Sequence, residues 1–197
     1  MTAINTLSLT DLTPLSINKK EVMRYLGVRE ENENTDALIS QSEAELFKIA
    51  TPKASYVLTD ITVDENTVDF GFMRANSQKL AKNLQECDQA YVFCATLGIA
   101  VDRLFERQSK ISQAKAMVLS ATASSLIESF CDYLNNELVK DKASRPRFSC
   151  GYGDFCLEHQ ADILRVLEAD KRLGVCLTDS YMMVPVKTVT AIIGIRR

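Results

Sequence analysis

Apolar positions along this chain recur with two different periods, and the switches between them mark out its elements. Asn18 can cap a first helix, with Glu21 three residues on to complete a capping box. Val22, Met23, Tyr25 and Leu26 follow, and Gly27 is a ready stop. A second helix is expected from after Thr35 to about Ala50, closed by Pro52. The period then shortens. Tyr56-Val57-Leu58 and Val68-Asp69-Phe70-Gly71-Phe72 read as strands, the latter with clean alternation, and Asp64-Glu65-Asn66 suits the hairpin turn between them. Ser77 caps a helix carrying Leu80, Ala81 and Leu84. The apolar strand Ala90 to Ala95 leads through Thr96-Leu97-Gly98 into a helix near Ile99 to Arg107.

The longest helix is expected from about Ser112 to Lys140. Leu119, Ala123, Leu126, Ile127, Phe130, Leu134 and Leu138 recur on it at helical spacing as one buried stripe. Ala121, Ser124, Ser125 and Glu128 lie on the other side, where periodicity alone reads a solvated face. After a loop from Arg145 to Phe155, a helix from about Glu158 to Leu173 is stopped by Gly174. Strands at Tyr181 to Val184 and Val189 to Ile195 close the chain. Regular β-α-β alternation is missing, so the expected class is α+β, a mixed or antiparallel sheet packed with several helices. No linker or repeat divides the sequence, and residues 1–197 are expected to form a single domain.

Composition changes this picture only by exclusion. A net charge of -3 argues against a nucleic-acid binder, which presents a basic face. The apolar runs are far too short to span a bilayer, and the N-terminus has no basic and apolar regions of a signal peptide, so a cytoplasmic protein is expected. The six cysteines include no Cys-x-x-Cys pair and read as reduced thiols. With His159 as the sole histidine, no metal site is assigned.

Acid–base machinery is equally hard to find. There is no phosphate-binding glycine motif and no Ser-His-Asp arrangement, so no catalytic residue is assigned. Cys150 or Cys156 with His159 leaves a thiol–imidazole pair open, beside the plainer reading of an incidental histidine. The loop from Arg145 to Phe155 differs in kind. Its glycines allow close backbone approach to a ligand, its arginines offer planar forks for a carboxylate or phosphate, and Tyr152 offers a flat surface with a polar tip. A well-anchored surface turn is the alternative.

Arg147-Phe148-Ser149-Cys150-Gly151-Tyr152, followed by Leu157-Glu158-His159, resembles the Arg-Pro-x-Pro-Gly-Tyr-Pro segment of the activation domain of cobalamin-dependent methionine synthase. Leu167 to Gly174, then Leu177-Thr178-Asp179-Ser180 and Met183-Val184-Pro185, are similar to that family's helix, glycine stop, Leu-Thr-Glu-Ser and Met-x-Pro strand end. Gly151-Tyr152-Gly153-Asp154-Phe155, with Asn18 to Gly27 and Ala95-Thr96-Leu97-Gly98, looks most like free-standing relatives of the domain.

The resemblance implies reductive reactivation of a cobalamin-dependent methyltransferase. The module would bind S-adenosylmethionine and present its methyl group to a reduced corrinoid carried by the partner protein, with a reductase or flavodoxin-like protein as electron donor. Binding and orientation are then the main demands on the protein. Arg147 would pair with the donor's carboxylate or order its pocket, Gly151 and Tyr152 would contact the donor, and Glu128 would answer its positive end. Ser149, Cys150, Pro185 and Thr188 would line the groove.

The chain also departs from that pattern. Cys150 and Gly153 stand where the family has prolines, one extra residue precedes Glu158, and Ser125 replaces an arginine of the long helix. The chain ends at Arg197, before the family's tyrosine-bearing C-terminal segment. Asp11-Leu12-Thr13-Pro14 echoes a further contact segment. Affinity for S-adenosylmethionine is therefore expected to be weak or completed by a docked partner. A docking module that does not bind S-adenosylmethionine, and a thiol enzyme using Cys150 or Cys156, stay open as alternatives.

Overall fold

The computed structural model describes residues 3–28, 32–140 and 142–196. In chain order the elements are β1 (Asn5–Ser8), α1 (Lys19–Leu26), α2 (Glu33–Ile49), β2 (Lys53–Asp60), β3 (Thr62–Val63), β4 (Thr67–Asp69), β5 (Arg74–Asn76), α3 (Gln78–Asn83), β6 (Gln89–Thr96) and α4 (Ile99–Ser109). The rest are α5 (Gln113–Val139), α6 (His159–Val166), α7 (Ala169–Leu173), β7 (Cys176–Leu177), β8 (Met183–Val184) and β9 (Thr188–Ile195).

The helix ends follow local chemistry. The Asn18 side chain accepts from the Lys20 and Glu21 N–H groups, Asn32 caps α2, and Ser77 and Ser112 cap α3 and α5. The expected start of the second helix after Thr35 is corrected to Glu33, because the Asn32 side chain accepts from the Thr35 N–H.

The main sheet is antiparallel, ordered β1-β2-β6-β9, which settles the choice between mixed and antiparallel. β6 pairs with β2 from Lys53↔Thr96 to Asp60↔Gln89, and with β9 from Gln89↔Ile195 to Thr96↔Thr188. Both faces of this central strand are covered, which explains its unbroken apolar run. Phe93 and Ala95 join Ala191 and Ile193 against Leu126, Phe130 and Leu134 of α5. Val92 and Cys94 join Ile192 against Leu80, Phe155, Ile163 and Leu167. Segment 144–148 runs along the outer edge of β9, bridging Ser144 to Ile195 and Phe148 to Ile192.

Three sequence expectations change. The helix expected over 158–173 is two helices, because Glu168 adopts φ 48° and the Leu167 carbonyl accepts from the Ser55 hydroxyl at 3.0 Å. The strand expected at Tyr181 to Val184 shrinks to β8 and pairs with β7, since Tyr181 sits at φ 59° in a turn bonded to Thr178. The solvated face on the long helix is in fact covered at Ala121 and Ser125, while Ser124 and Glu128 stay partly open. Ala121 and Ser125 are 6% and 2% exposed, because α1 and the segment before it pack there. No helix among the described residues is long and apolar enough to cross a membrane.

Candidate functional site

Ser120, Ser124, Glu128 and Asp132 recur every fourth residue on α5 and so line one face. A cation approaches each end of this polar column. Lys187, in the loop entering β9, donates through Nζ to the Ser120 hydroxyl at 3.1 Å and the Ser124 hydroxyl at 2.8 Å. Arg147, on the segment flanking β9, places Nη2 3.1 Å from Glu128 Oε2 and 2.7 Å from Asp132 Oδ1. Its Nη1 is buried without a hydrogen-bond partner among the described residues. Arg147 and Glu128 are therefore brought together, with Asp132 as a third member that the sequence did not single out.

The neighbouring column of α5 holds the N-terminal segment in place. Ser125 Oγ accepts from the Asn18 N–H at 2.8 Å, and Ser129 Oγ accepts from the Ser16 N–H at 3.0 Å. The Asp11-Leu12-Thr13-Pro14 stretch precedes them, with the Asp11 carboxylate accepting from the Thr13 N–H and hydroxyl. Those two bonds hold its carboxyl below the ordinary range. Ser125, where the resembled family has arginine, thus seats the cap of α1.

The Cys150–Phe155 turn packs on its own neighbours, with the Leu157 side chain against Gly151 and that of Lys79 against Gly153. Gly151 has φ 87°, a left-handed conformation, and its N–H donates to the Phe155 carbonyl at 2.7 Å. Gly153 has φ 60°, which a proline ring held near -65° cannot adopt. Proline is therefore excluded at this position of the turn. Phe155 is buried and anchors the turn, whereas Tyr152 is 67% exposed with its ring 6.1 Å from that of Phe148. Asp154 clasps the turn to α3, accepting from the Ser77 hydroxyl and from the Gln78 and Lys79 N–H groups. The Ser77 bond leads in holding its carboxyl low. Ser149 is half-buried and its carbonyl accepts from the Tyr152 N–H. Cys150 is buried, and burial pushes its thiol up to about 12.

Pro185 and Thr188 are buried supports for the loop carrying Lys187. The Thr188 hydroxyl donates to the Pro185 carbonyl at 2.7 Å and lies 2.9 Å from the Thr96 hydroxyl. The Val186 N–H donates to Asp102 Oδ2 at 2.8 Å. Burial lowers the pKa of Lys187, against the opposing pull of Asp102, and burial raises that of Asp102. His159 stacks on Phe155 at 5.3 Å, and its Nδ1 lies 3.8 Å from Asp162. Among the described residues no three His, Cys, Asp or Glu side chains gather as a metal site.

No family model and no curated protein matches the sequence. The structure is similar to a crystal structure of the MetH reactivation domain bound to AdoHcy, with a TM-score of 0.72 and 15% identity over 98% of this chain and 78% of that one. The chain thus has a reactivation-domain fold. The activation-domain architecture implied by the Arg147–Tyr152 and Leu173–Pro185 segments is the one observed.

Proposed function

We propose that residues 1–197 act as one activation-domain-like module in the cytoplasm. The module binds S-adenosylmethionine and presents its methyl group to a reduced corrinoid carried by a methionine synthase-like methyltransferase, with a flavodoxin-like electron donor. The observation that carries the proposal is the Arg147–Glu128–Asp132 cluster, on a fold shared with a domain bound to AdoHcy. S-Adenosylmethionine supplies a methyl group on a positively charged sulfur.

The cluster fits such a zwitterion. The Arg147 guanidinium answers a carboxylate; Glu128 and Asp132 answer an ammonium or sulfonium. Gly151 brings backbone close, and the exposed Tyr152 ring supplies a contact face. Ser149 and Cys150 flank that face, while Pro185 and Thr188 fix the loop opposite α5. Orientation is the residues' whole task.

A calorimetric titration with S-adenosylmethionine, with ATP as control, tests this. Arg147→Ala is expected to weaken binding about ten- to a hundredfold, the worth of a hydrogen bond to a charged group. Absence of saturable binding, alone and with a corrinoid protein present, refutes it. The docking-module reading is favoured by one observation: Arg147 already pairs with two carboxylates. Corrinoid-protein binding that S-adenosylmethionine does not change would select that reading.

A further inference from the structure

A cleft of about 540 Å³ opens between α4, α5 and the loop before β9, at the opposite end of the α5 column from Arg147. Its volume lies within the range of small-molecule sites. Its walls are apolar: Leu119 and Ala123 form the floor on α5, with Ile99, Phe105, Val184 and Val186 around them. Ile99, Phe105 and Val186 are 44%, 40% and 62% exposed, so apolar surface is presented to the opening.

One cation meets two hydroxyls beside the cleft. Lys187 lines the cleft with its side chain largely withdrawn from water, and two of its three ammonium protons go to the Ser120 and Ser124 hydroxyls. A cation in apolar surroundings gains most from an anionic partner that enters with it. Asp102, Glu106 and Arg103 also line the cleft, and the two carboxylates outnumber the guanidinium away from Lys187.

We propose that this cleft binds a small monocarboxylate of about six to ten carbons in all, with its apolar tail inside the cavity. The carboxylate sits on Lys187 and the Ser120 hydroxyl, and the tail lies between Phe105, Val184 and Val186. This site is independent of the S-adenosylmethionine proposal.

Calorimetry on the full chain with hexanoate as probe, at concentrations to about 10 mM, tests it, with hexanol and adipate for comparison. Hexanoate is expected to bind saturably and more tightly than either. Lys187→Met is expected to lose at least about tenfold in affinity, while Lys187→Arg, which keeps the charge, stays within about threefold. Circular dichroism establishes that each variant is folded, and Lys187→Gln replaces Lys187→Met should the latter not fold. No saturable hexanoate binding, equal binding by the folded uncharged variant, or hexanol binding as tightly as hexanoate would overturn the proposal.

Discussion

Ser125→Ala removes one oxygen atom from the middle of α5 and tests how the N-terminal segment is held. Ser125 is 2% exposed, and its hydroxyl accepts from the part-buried Asn18 N–H at 2.8 Å. Asn18 is itself the cap of α1, so its backbone position sets the start of that helix. Alanine leaves this N–H without an acceptor, at a cost of about 1–3 kcal/mol. Alanine's better helix propensity returns about 0.5 kcal/mol, and the vacated space is too small to add much. A net loss of about 0.5–2.5 kcal/mol is expected. For a chain of 197 residues, an unfolding entropy of about 0.4 kcal/mol per kelvin makes this a fall in Tm of about 1–6 °C. Thermal unfolding followed by circular dichroism gives the answer. Ser129→Ala serves as the comparison, because its partner, the Ser16 N–H, is exposed to water that can replace the hydroxyl. It is expected to cost under about 0.5 kcal/mol. A Ser125→Ala protein as stable as the parent, or less affected than Ser129→Ala, would refute the view that this hydroxyl seats α1.

Two further outcomes are expected. Iodoacetamide should label the exposed Cys156 and Cys176 in the folded protein, while Cys87, Cys94, Cys131 and Cys150 react only on unfolding; rapid labelling of Cys150 would contradict its burial and raised pKa. The Asp154 carboxyl is held below its ordinary 3.8, chiefly by the Ser77 hydroxyl. Its contribution to stability is therefore complete above 3.8 and fades as pH falls through the lower folded value. Asp154→Asn should flatten that acid limb in a urea midpoint measured against pH, and an unchanged slope would count against the clasp.

Much of the local structure was legible in the sequence. Asn18 and Ser77 cap their helices as expected, and the stripe from Leu119 to Leu138 faces the core. These features depend on contacts within a few residues, where side-chain capping and helical period act directly. The two segments carrying the family resemblance also led to the observed fold. In the site, Arg147 and Glu128 were both singled out and are found paired.

What only the tertiary structure decided depends on partners distant in sequence. Ser125 and Glu128 share a helix and the same reading by period, yet one is buried beneath Asn18 and the other meets Arg147. Nothing within α5 distinguishes them, because the difference is made by what packs against each. The break at Glu168 follows from its positive φ beside a carbonyl claimed by Ser55, 112 residues away. Lys187 drew no notice in sequence, as a lone lysine in a polar turn. It gains its place when β9 pairs with β6 and carries the loop over Ser120 and Ser124, 67 and 63 residues earlier. A helix cap or an apolar stripe is fixed by neighbours along the chain, whereas a buried charge is defined by the surfaces that close around it.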